Sequence, residues 1–185
     1  MIEQVKRDTA ERMDKTAQAL QHEFATVRTG RASATILEKV QVDYYGQQTP
    51  LLQLASVNAP ESQLLVVQPY DPSSISNIEK AILASDLGLN PSNDGQIIRV
   101  PFPPLTEERR VELVKLCRNY AEEARVGVRN IRRDANERHK AAEKDHDISQ
   151  DDLHRAETEI QEMTDAHTAE IDDLLSRKEA EIMEV

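Results

Sequence analysis

Five arginines, Arg118, Arg125, Arg129, Arg132 and Arg133, follow one another at intervals of seven, four, three and one. On a helix those spacings put the first four on one face, with Arg133 at its edge. Guanidiniums packed this closely repel one another, and acids one turn away such as Glu122 and Asp134 screen them only in part, so the pattern calls for an anionic partner. Every cation in the set is Arg rather than Lys, the residue whose planar fork bonds phosphate bidentately and stacks on flat groups. The competing reading is a solvated helix face paired with acids elsewhere in the chain.

Other chemistry finds little support. There is no P-loop, no G-x-G-x-x-G after a strand, no H-E-x-x-H and no G-x-S-x-G. His146 lies between Asp145 and Asp147, with His154 following, and these could gather a metal; a polar turn between helices favours the same residues. Carboxylate pairs abound near the C-terminus, as they would by chance in a chain that is 31% charged. Cys117, the single cysteine, excludes an internal disulfide and reads as a small buried side chain on a helix. No catalytic residue, metal ligand or cofactor is expected.

Three long helices must position the arginines. Met13, Ala17, Leu20, Phe24 and Val27 alternate by four and three, one helical stripe before Gly30, where a helix would stop. From Thr106, with Glu107 and Glu108 in a first turn that favours acids, a second stripe runs through Leu113, Cys117, Tyr120, Ala124, Ile131 and Ala135 to about residue 144. Ser149 and Asp152 then form a capping signature. A third stripe follows through Leu153, Ala156, Ile160, Met163, His167, Ile171, Leu174, Lys178 and Ile182. A helix of roughly 40 residues is about 60 Å long, so the second and third run antiparallel with the first beside them, a three-helix bundle. A bundle also suits 185 residues with 3% aromatics and no Trp.

All eight prolines lie between residues 50 and 104, and the segment 31–104 has its own texture. Val40, Val42 and Tyr44 alternate with polar residues before a turn at Gly46. Leu64 to Val67 and Gln96 to Val100 read as further strands, and Ser74 to Ala84 as a short helix capped by a Ser and ended near Gly88. The fold class is therefore α+β: a bundle from 1–30 and 105–185, and a small inserted domain from 31–104 joined by two passages of chain, able to swing as a unit.

The net charge of −11 argues at first against nucleic acid. Its distribution argues otherwise. Residues 106–140 carry ten basic and seven acidic side chains, residues 141–185 four and fifteen, so the acid belongs to the third helix. Arg28 and Arg31, at the end of the first helix where the second begins, could join the arginine stripe in one basic surface facing RNA phosphates, with the acidic helix repelled outward. No window reaches the ~18 apolar residues of a membrane span, and the N-terminus resembles neither a secretory nor a transit signal, so a cytoplasmic protein without membrane contact is expected.

Six stretches carry a resemblance: Val27 to Ser33 (VRTGRAS), Val42 to Gly46 (VDYYG), Gln53 to Ser56 (QLAS), Ala84 to Pro91 (ASDLGLNP), Pro103 to Arg110 (PPLTEERR) and Val128 to Ala135 (VRNIRRDA). In order and across the whole chain they are similar to the bacterial ribosome recycling factor family. That resemblance implies an L-shaped, two-domain protein with a β/α/β domain on a hinge. It implies a monomer that is not an enzyme, which binds the post-termination ribosome and, with elongation factor G and GTP, splits it to free messenger RNA. It further implies that Arg129, Arg132, Arg133 and Arg28 contact large-subunit ribosomal RNA, with Arg125 and Arg31 beside them, and that Gly30, Arg31, Pro103 and Pro104 fall at the hinge. Gly127 stands where the family more often has Ala. The alternative function is a helical adaptor or coiled-coil protein using its stripes as an interface; a hydrolase acting through the Asp145-His146-Asp147 turn is a more distant one.

Overall fold

A computed structural model describes residues 1–184 in two compact units, Met1–Arg28 with the segment from Glu107 onward, and Thr29–Thr106. The first helix, α1, spans Ile2–Thr26 and buries Met13, Ala17, Leu20 and Phe24 as its stripe requires, extended back by Val5 and Thr9. Thr9 is tolerated there because its hydroxyl donates to the Val5 carbonyl at 2.7 Å. Helix α1 ends at Thr26, four residues before Gly30, and its cap residue Val27 already has an extended backbone (φ −81°, ψ 112°). Gly30 is therefore not the helix stop. It sits at φ +80°, and a Cβ there would lie 3.0 Å from Leu105 Cγ, so the position needs both a left-handed backbone and a missing side chain.

In the unit Thr29–Thr106, β1 (Gln41–Tyr44) and β2 (Gln47–Pro50) form an antiparallel hairpin with Val42 opposite Thr49. Its turn residues Tyr45 and Gly46 both have positive φ. One helical turn, α2 (Leu51–Leu54), leads to a four-stranded antiparallel sheet of β3 (Ala55–Glu61), β4 (Leu64–Pro69), β5 (Ser92–Asn93) and β6 (Ile98–Pro101), in the order β3-β4-β6-β5. Helix α3 (Ile75–Ala84) closes the core, with Ile78 and Ile82 buried beside Leu65, Val67, Ile98 and Val100. No Ser side chain caps α3: Ser74 Oγ donates to the Asp71 carbonyl instead. Asp71 accepts from the Ser73 N–H (3.0 Å) and hydroxyl (2.7 Å), capping the 3₁₀ turn Pro72–Ser74 that feeds the helix. Strand β3 contains Pro60, which lacks a backbone N–H and is accommodated because β3 is an edge strand whose register shifts between Asn58 and Glu61.

Helix α4 spans Glu107–Lys144 and α5 Gln150–Met183. On α4 the buried positions include Leu113, Cys117, Ala124, Ile131 and Ala135, with Ala121 and Val128 also buried and Tyr120 only half-buried. Small side chains fill the seam, which lets three slender helices pack closely. The helices are joined through His146 at φ 62°, and Ser149 and Asp152 form the reciprocal capping box at the start of α5. On α5, Ala156, Ile160, Ile171 and Ile182 are buried, while Met163, His167, Leu174 and Lys178 lie at the rim. Arg12–Asp134 and Asp8–Arg138 pairs fix α1 antiparallel to α4.

Candidate nucleic-acid interface

The antiparallel register of α4 and α5 decides which arginines are available. Each step of seven residues up α4 meets a step of seven down α5. Arg118 Nε donates to Glu179 at 2.6 Å, and Arg125 donates through Nε and Nη2 to Asp172 at 2.9 and 2.6 Å. One more step should bring Arg132 opposite Asp165. It does not pair with it. Arg132 Nη1 donates to Gln161 Oε1 at 3.2 Å, and the Gln161 amide nitrogen donates in turn to Asp165 at 2.8 Å. The amide stands between cation and anion. Further along, Lys140 meets Glu157 at 3.8 Å, so the ladder of ion pairs resumes after the gap.

On the outer side of the same helix Arg129 donates to Glu122 at 2.7 Å, and Glu122 also accepts from Arg125 at 3.2 Å. Those two guanidiniums hold the Glu122 carboxyl below its ordinary range. Arg133 donates, among the described residues, only to the Asn130 side-chain oxygen, at 3.1 Å. Among the described residues, neither Arg132 nor Arg133 has a carboxylate within ion-pair distance. Arg118 and Arg125 thus follow the competing reading of a face paired with the acidic helix, and Arg132 and Arg133 do not. Burial opposes charge on Arg125, yet its bonds to Asp172 and Glu122 outweigh this and hold it more firmly protonated than usual.

The structure gathers Arg125, Arg129, Arg132 and Arg133 on about two turns of α4. Arg28 is exposed and follows the last turn of α1, which lies beside Tyr120, two residues from Arg118 and about 18 Å of helix from Arg132. Arg31 is exposed and belongs to the other unit, as do Gly30, Pro103 and Pro104.

Two side chains, Gln161 and Asp165, escaped the reading from sequence. Both would have emerged had the register been carried one step past Arg125. His167 bridges helices: Nε2 lies 2.7 Å from Asp14 and Nδ1 2.8 Å from the Met163 carbonyl. Burial alone would lower its pKa, but Asp14 and the carbonyl prevail and hold it above the ordinary histidine value. His139 is buried and lowered, chiefly by desolvation, with Arg138 adding to the effect. The turn at His146 supplies no candidate metal centre, since no group of three or more His, Cys, Asp or Glu among the described residues is arranged to hold an ion.

A family profile described as Ribosome recycling factor matches residues 20–183. The chain belongs to the ribosome recycling factor family. Ribosome-recycling factors from Geobacillus sp. (strain WCH70) and Geobacillus thermodenitrificans (strain NG80-2) are 56% and 57% identical over 185 residues, the full length of both chains in each case. A solution structure of a ribosome recycling factor is 42% identical, with a TM-score of 0.76 over 100% of this chain and 98% of that one. A second solved structure describes the T. thermophilus ribosome recycling factor and E. coli elongation factor G bound to the E. coli post-termination complex; its recycling factor is 46% identical, with a TM-score of 0.64 and 100% of both chains covered. The α+β layout of long helices and a small sheet unit is that of the ribosome recycling factor structures.

Proposed function

We propose that the helical unit docks on large-subunit ribosomal RNA through Arg129, Arg132 and Arg133, and that the protein then acts with elongation factor G and its GTP to split the post-termination ribosome. The observation that supports this is the interruption of the α4–α5 ion ladder at Arg132: a cation spared by its own acidic helix is one held for an external anion. Arg132 spends one of five N–H donors on Gln161, leaving a fork for phosphate. The solved relative described with elongation factor G on a post-termination complex supports the same partners. The acids of α5 repel phosphate, so only one orientation of the unit suits RNA.

In this reading the protein breaks no covalent bond itself. It works as a monomer in the cytoplasm, anchored by the arginines while the unit Thr29–Thr106 is displaced by the GTPase about the passages that carry Gly30-Arg31 and Pro103-Pro104. Contacts between subunits are lost, and the free energy comes from GTP. Light scattering of post-termination ribosomes tests it: subunits should separate only when this protein, elongation factor G and GTP are all present. Splitting without the protein, or none with all three, would overturn it.

A further inference from the structure

The residue that keeps Arg132 out of the ladder is Gln161. We propose that Gln161 is a positioning residue, whose side-chain amide separates Arg132 from Asp165 and so reserves the guanidinium for an RNA phosphate. The inference rests on the RNA-docking reading above. Its geometry is internal to the bundle. Steps of seven bring Arg118 to Glu179 and Arg125 to Asp172 in direct contact, and the next step brings Arg132 towards Asp165. At that step the amide oxygen accepts from Arg132 and the amide nitrogen donates to Asp165, so both charged groups are satisfied by a neutral spacer. An amide is suited to this because it offers an acceptor to the cation and a donor to the anion at once. A carboxylate there would capture Arg132, and an aliphatic side chain would leave Arg132 and Asp165 to find each other.

The test is a cycle of full-length variants in cosedimentation with post-termination ribosomes at several salt concentrations. Gln161→Ala should weaken binding about fivefold, as one charge-assisted contact is drawn away, and lower the slope of log affinity against log salt by up to about 0.7–0.9. Adding Asp165→Asn to Gln161→Ala should restore affinity and slope, and should do so by more than Asp165→Asn alone changes the wild type. Unchanged binding by Gln161→Ala, or failure of Asp165→Asn to restore it, would overturn the assignment. Helix content by circular dichroism should be the same in all variants, because both positions are exposed; a loss of helix that tracked the loss of binding would make Gln161 a structural residue and count against the proposal. Arg132→Ala separates the two levels. If it binds like the wild type, the docking reading fails; if it binds weakly while Gln161→Ala does not, only the positioning role fails.

Discussion

Arg125 and Arg132 lie seven residues apart on one face of α4, yet their truncation should do opposite things. Arg125 makes two hydrogen bonds to Asp172 and one to Glu122, with its side chain 25% exposed. Exposed ion pairs contribute about 0.2–1 kcal/mol, and hydrogen bonds to charged groups about 1.5–3 kcal/mol where water is excluded. Asp172 is 56% exposed and is rehydrated when its partner leaves, so Arg125→Ala should cost about 1–1.5 kcal/mol. At roughly 2–4 °C per kcal/mol for a chain of this size, the melting temperature should fall by about 2–6 °C. Arg132→Ala removes one bond to a neutral amide and should shift it by no more than about 1 °C. Thermal melts followed at 222 nm measure this, and ribosome binding of the same two variants completes the comparison, with Arg132→Ala the weaker binder. Equal melting temperatures together with equal losses of binding would refute the division between ladder and interface.

Three further outcomes follow from local geometry. Gly127→Ala should stabilise the bundle by about 0.8–1 kcal/mol, because a helix interior favours Ala and the new Cβ would meet Thr16 Cγ2 at 3.5 Å, an ordinary contact; urea unfolding measures it, and a fall in stability would show the α1–α4 seam to be tighter. Gly30→Ala should instead destabilise its unit by about 1–2 kcal/mol, from the strained φ of +80° and the 3.0 Å approach to Leu105, read as a lower unfolding midpoint. His167 is raised in the folded state, so its link to Asp14 stabilises fully below about pH 6.5 and is lost as pH rises through the higher folded value. The difference in urea midpoint between wild type and His167→Gln should therefore shrink across that window, a difference that also cancels the opposite contribution of His139; a constant difference would contradict the ion pair.

The helical unit was legible because its signals are long and periodic. Stripes of four and three mark α1, α4 and α5, and Ser149 with Asp152 announces the start of the last helix. The sheet was harder. Gln47–Pro50 is polar, Ala55–Glu61 contains Pro60, and Ser92–Asn93 is two residues long, so β2, β3 and β5 carry little apolar signal to detect; the central strands β4 and β6, on which β3 and β5 pair, carry more. The candidate interface was legible as a set of arginines but not as a selection among them. Spacing along one helix cannot say which cations a neighbouring helix neutralises. That depends on the register of α5, and on a single amide at position 161.

The central claim is that Arg132 is a phosphate contact. Cosedimentation of the wild type and Arg132→Ala with post-termination ribosomes over a range of salt tests it most directly. The variant should bind about tenfold more weakly at low salt, and its salt slope should be smaller by about 0.7–0.9, the share of one phosphate. Identical affinity and identical slope would contradict it.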